Sequence, residues 1–103
     1  MAIMIHVNLR KVPLDVFDEV NQELGAVENP PAGLVVHFAH PVGEDGVRIV
    51  DVWMSEDDHD AFDAANDPPA VMARLLRQRG LDPPEFVSRD VIEIGGLVTG
   101  STA

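Results

Sequence analysis

The chain has 103 residues, enough for one domain with one core, and 46% of them are apolar. Its net charge of −11, from 18 acidic residues against 7 basic ones, opposes binding to phosphate backbones and anionic membrane surfaces. It has no Cys and no Tyr, which excludes disulfides, thiolate chemistry, Cys-ligated metals and a phenolic acid.

The N-terminal MAIMIHVNLRK is too short and too alternating for a signal peptide, and no long apolar run follows it. A cytoplasmic protein is the simplest expectation. Ile3, Ile5, Val7 and Leu9 alternate with Met4, His6, Asn8 and Arg10, which predicts a strand over 2–10 with one strongly apolar face. Pro13 suits a first helical turn. Leu14, Phe17, Val20 and Leu24 then form a stripe at helical spacing that Gly25 stops.

Residues 33–40 are predicted to form a second strand, with Leu34, Val36 and Phe38 on one face. Asp45-Gly46 signals the turn into a third strand over 47–54. There Val50, Val52 and Met54 share one face, and Ile49, Asp51 and Trp53 the other. Ser55 is the expected N-cap of an acidic helix, with Asp58 three residues on. Asp67-Pro68-Pro69 interrupts that helix, because an interior Pro removes a hydrogen bond and clashes. A second helical piece is expected to run to about Arg79, with Gly80 as its stop. A last strand over 85–94 follows Pro83-Pro84. Residues 1–95 are thus one domain, and 96–103 are expected to be a loose tail.

The order β-α-β-β-α-β is that of the ferredoxin-like split βαβ, an α+β fold with an antiparallel sheet in the order 4-1-3-2. In that order a hairpin centred near Glu44 places His37 opposite Asp51. A carboxylate beside an imidazole orients the ring and raises its basicity, a useful acid–base arrangement. The competing reading is a satisfied polar pair with a structural role. His6, on the first strand, is expected to border Asp51 from the other side if its register agrees. His59, amid Glu56, Asp57, Asp58 and Asp60, reads as a solvated first-turn residue. His6, His37 and Asp51 together could form a two-His, one-carboxylate metal set, but no short-range ligand spacing supports it, so no metal is expected. No phosphate loop or nucleophile elbow is present, and no cofactor motif is evident.

GLVVHFAHPVGEDGVRIVDVWMSEDDHDAF, with hairpin, DVW strand and acidic helix start, resembles the dimeric α+β barrel superfamily, close to the antibiotic-biosynthesis monooxygenase-like proteins. The resemblance spans about residues 1–94. It implies a homodimer of two ferredoxin-like protomers packed sheet to sheet, with a pocket for a small organic molecule. It also implies chemistry of the group's kinds: cofactor-independent oxygenation of polycyclic phenols, haem degradation, lactone isomerisation or cyclisation. Family oxygenases often use an Asn and a Trp near substrate, and Asn8 and Trp53 are the positions here that match by strand and type. The haem-degrading branch needs a helix His further along than His59 stands, which argues against haem. The expectation is an enzyme acting on an apolar carbonyl- or phenol-bearing metabolite. His37 moves a proton, Asp51 orients it, and His6, Asn8 and Trp53 position substrate. The alternatives are an isomerase or cyclase, a non-catalytic small-molecule-binding dimer, or a structural dimer with a filled interior and no cavity.

Overall fold

The computed structural model describes residues 1–100. Its elements in chain order are β1 (Ile3–Arg10), α1 (Val16–Glu23), β2 (Leu34–Val42), β3 (Gly46–Trp53), α2 (Glu56–Asn66), α3 (Pro68–Gln78) and β4 (Glu85–Glu93). The four strands form one antiparallel sheet in the order β2-β3-β1-β4. This is the ferredoxin-like α+β arrangement, with the second helix broken into two. Of the expected tail, residues 96–100 carry no helix or strand, and 101–103 lie outside the described residues.

The break between α2 and α3 is built by Asp67. Its backbone is left-handed, with φ at 46°. Its N–H donates to the Asp63 carbonyl, closing α2, and its carboxylate accepts from the Ala70 N–H, opening α3. Pro68 and Pro69 then occupy first-turn positions that need no donor. One residue thus ends one helix and caps the next.

Helices α1 and α3 cover one end of the sheet. Val16, Phe17 and Val20 meet Met72, Leu75 and Leu76 over Leu9 and Val47 in the main core. The stripe expected on α1 is shifted: Leu14 is largely exposed and Val16 is fully buried in its place. The cause is a tight turn before the helix, in which the N–H groups of Val16 and Phe17 donate to the Pro13 and Leu14 carbonyls. A smaller cluster of Ile3, Ile5 and Trp53 lies towards α2, with Leu34 and Phe62 packed on it.

The β2 face expectation is corrected by a bulge. Leu34 pairs with Trp53 and Val36 with Val52, so two steps on β2 match one on β3 and Val35 is extra. Leu34 therefore faces the helices beside Trp53. Val36 and Phe38 point to the helix-free face, where they are 41% and 46% exposed.

Candidate functional site

Between the helix-side face of the sheet and α1, α2 and α3 lies a cavity of about 370 Å³. That is room for a small organic ligand. It counts against the filled-interior alternative. Its walls are mainly aliphatic, aromatic and proline: Ile5, Val7 and Leu9 from β1, Phe17 and Val20 from α1, and Phe62 from α2 are among them. Pro31, Pro68, Pro69 and Pro84 also line it. The polar side chains facing it are Asn21, His37, Asp51, His59, Asp63 and Arg89.

Strand periodicity decides which expected residues reach this cavity. Side chains alternate between faces, and residues paired across strands share one. His37 pairs with Asp51, and Asp51 with Ile5 on β1. All three line the cavity, as does Trp53 two residues on. His6 pairs with Val50, not Asp51, and Asn8 pairs with Arg48, so both belong to the opposite face. His6 therefore does not border Asp51, and the two-histidine metal set does not converge. Asn8 accepts from Arg48 Nε at 2.9 Å and donates to Ser88 Oγ at 2.9 Å, a polar row across the helix-free face. The structure thus brings His37, Asp51 and Trp53 together and leaves His6 and Asn8 on the other side of the sheet.

His37 Nδ1 is hydrogen-bonded to Asp51 Oδ1. A carboxylate can only accept, so Nδ1 carries the proton. In the neutral ring Nε2 then holds the lone pair. Both side chains are partly shielded, at 27% and 18% exposure. A ring so held is an oriented base in an apolar wall.

Trp53 is 2% exposed, and its Nε1–H has no hydrogen-bond partner among the described residues. A buried donor left unpaired costs about 1–3 kcal/mol. The indole ring is held by Phe62, with centroids 5.8 Å apart, and by His59, edge to face at 5.6 Å.

His59 was expected in solvent and is instead 7% exposed. Helix α2 begins at Ser55, whose hydroxyl accepts from the Asp58 N–H, and this phase turns His59, Phe62 and Asp63 inward. His59 Nδ1 lies 3.0 Å from Asp60 Oδ1, and its Nε2 lies 3.4 Å from Asp63 Oδ2. Partial burial pushes the Asp63 carboxyl, whose side chain is still 46% exposed, above its ordinary value. The charges of Asp51 and Asp60 add to this, while His59 and Arg89 oppose it. Sequence reasoning missed Asn21, His59, Asp63 and Arg89. For α2 a signal existed: positions 59, 62 and 63 share a helical face. The acidic run around them hid it.

No protein-family model and no curated protein matches the sequence. Solved structures do match in fold. Protein YJCS is 14% identical, with a TM-score of 0.61, over 92% of this chain and 100% of that one. The monooxygenase from the gene ActVA-Orf6 of Streptomyces coelicolor, in complex with the ligand Nanaomycin D, is 15% identical, with a TM-score of 0.60, over 97% of this chain and 93% of that one. SnoaB, a cofactor-independent oxygenase from Streptomyces nogalater, is 13% identical, with a TM-score of 0.57, over 94% of this chain and 95% of that one. At such identities the likeness is one of fold: the chain has the α+β fold of the antibiotic-biosynthesis monooxygenase-like proteins. No helix among the described residues is long and apolar enough to cross a membrane.

Proposed function

We propose that this protein is a cofactor-independent monooxygenase for an apolar, carbonyl- or phenol-bearing small molecule. The observation that carries the reading is the His37–Asp51 pair, an oriented base set in the wall of an otherwise mainly apolar cavity. The SnoaB and ActVA-Orf6 proteins share this fold and are described as oxygenases. Trp53 adds a hydrogen-bond donor that a substrate carbonyl or phenolic oxygen would satisfy.

The chemistry needs only the substrate, dioxygen and this base. His37 Nε2 takes a proton from an acidic ring CH2 conjugated to a carbonyl. The carbanion forms a C–O bond to dioxygen, and the peroxide takes up a proton. Loss of the second C–H proton with O–O cleavage leaves a new carbonyl and releases water. One dioxygen is consumed and one water formed, with carbon the group oxidised. Asp51 holds the His37 ring through its Nδ1–H and stabilises the imidazolium.

The same reading has the protein act as a homodimer, sheet to sheet. Its support is the helix-free face, where Val36 and Phe38 lie two residues apart on β2 and stay exposed, as does Ile92 on β4 at the other edge of the sheet.

The test is dioxygen uptake and product analysis with a hydroxyanthrone as probe. The wild-type protein consumes one dioxygen per ketone formed, and His37→Ala lowers turnover about 100-fold with the fold retained. A rearranged product without dioxygen uptake would assign an isomerase or cyclase instead. Binding without any conversion would assign a carrier. Unchanged turnover by His37→Ala would remove the base.

A further inference from the structure

The cavity has a second proton-handling wall. Facing β3, helix α2 presents His59 and Asp63, four residues apart on one helical face. His59 lies between two carboxylates, Asp60 at Nδ1 and Asp63 at Nε2. A neutral imidazole has one N–H and one bare lone pair. If Nδ1–H donates to Asp60, the lone pair of Nε2 faces Asp63. That contact is favourable only when a proton lies between them, on the Asp63 carboxyl or on Nε2. At 3.4 Å the His59–Asp63 contact is a close approach rather than a formed hydrogen bond, and a small closing movement would let the pair hold one transferable proton.

We propose that Asp63, working with His59, is the general acid of this site and returns a proton to the ligand oxygen after His37 has removed one from carbon. This rests on the proposed oxygenase reading and adds the residue that reading lacks. Protonating the peroxide anion gives the hydroperoxide; as the second C–H proton is removed and the O–O bond breaks, the departing hydroxide takes up that proton and leaves as water.

The surroundings favour a held proton. Asp51 faces Asp63 from the sheet and Asp60 from its own helix, and both resist a further negative charge. Arg89 on β4 is the opposing cation, together with His59 itself. Burial acts in the same direction as the two carboxylates. The edge-to-face contact with Trp53 holds the His59 imidazole in place beside the cavity.

The test has two arms. Carbon-13 NMR of the ligand-free protein follows the Asp63 carboxyl through a pH titration. It is expected to titrate above ordinary carboxylates and to shift down in Asp51→Asn. Titration of Asp63 in the ordinary range would overturn the proposal whether or not any substrate is known. The second arm uses a hydroxyanthrone in heavy water and compares deuterium exchange at the acidic carbon with ketone formation. Asp63→Asn is expected to keep enzyme-catalysed exchange and to lose ketone formation about 100-fold, with Asp63→Glu restoring part of it. Full turnover in Asp63→Asn, or loss of exchange along with turnover, would overturn the acid role. Exchange that persists in His37→Ala would instead strike the proposed base and leave the Asp63 result to stand on the NMR arm.

Discussion

Trp53 and His59 meet edge to face, with ring centroids 5.6 Å apart and planes at 80°. The contact joins the end of β3 to the first turns of α2, beside the cavity that Trp53 lines; the indole N–H is enclosed there and has no partner among the described residues. A donor left unpaired next to a cavity is one that an acceptor-bearing ligand reaching it would satisfy.

Trp53→Phe removes that donor while keeping an aromatic ring. A carbonyl-bearing polycyclic ligand is expected to bind about 5- to 10-fold more weakly, the worth of about one hydrogen bond. A hydrocarbon of the same shape is expected to lose less. Titration calorimetry with the matched pair measures the difference, and equal losses would mean that the N–H does not contact the ligand.

Asp63 sets a pH dependence of stability. Its folded carboxyl binds protons more tightly than the unfolded one, whose pKa is about 3.9. The native state therefore gains most from this group below that pH and loses the gain as pH rises through the folded value. Asp63→Asn cannot lose it. Its melting temperature relative to wild type is expected to climb as pH rises above about 4 and then to level off. A difference that stays flat with pH, or that falls, would contradict the direction.

Gly33 and Gly43 both have positive φ, at 84° and 65°. A side chain in that region costs roughly 1–2 kcal/mol at either site. Only Gly33 has a neighbour in the way: an added Cβ would run into the Asp58 side chain at the start of α2, whereas Gly43 meets nothing. Gly33→Ala is therefore expected to destabilise more than Gly43→Ala in urea denaturation. Combining Gly33→Ala with Asp58→Ala should narrow the gap.

Arg79 ties α3 to α1. It donates to Asp15 at 3.1 Å and to Glu19, and it remains a quarter exposed. Arg79→Ala is expected to lower the melting temperature, and the drop should shrink in 1 M salt, where the screening length is about 3 Å. A salt-independent drop would place the effect in the packing of its alkyl chain.

The helix-free face is the proposed dimer surface. Phe38 is 46% exposed there, on the edge strand β2. Phe38→Glu would bury a charge in that interface, at a cost that a small dimer does not survive. Sedimentation should show a wild-type dimer at micromolar concentration and a monomeric Phe38→Glu. A wild-type monomer at that concentration would remove the interface.

The sequence by itself determined the element order, the antiparallel sheet and the register of one hairpin. These depend on local signals: period-two alternation in β1, the Asp45-Gly46 turn, the Ser55 cap and the Pro68-Pro69 restart. A symmetric count about Glu44 was enough to pair His37 with Asp51. What only the tertiary structure decided were the faces and the partners. The Val35 bulge sent Leu34 and Val36 to opposite sides, and the pairing of Ile5 with Asp51 put His6 and Asn8 on the sheet face away from the cavity. The inward turn of His59 and Asp63 depends on how α2 docks over Trp53. A helix's rotation about its axis is set by packing against a distant strand. The acidic run around those two residues masked the one local sign of it, the helical face they share with Phe62.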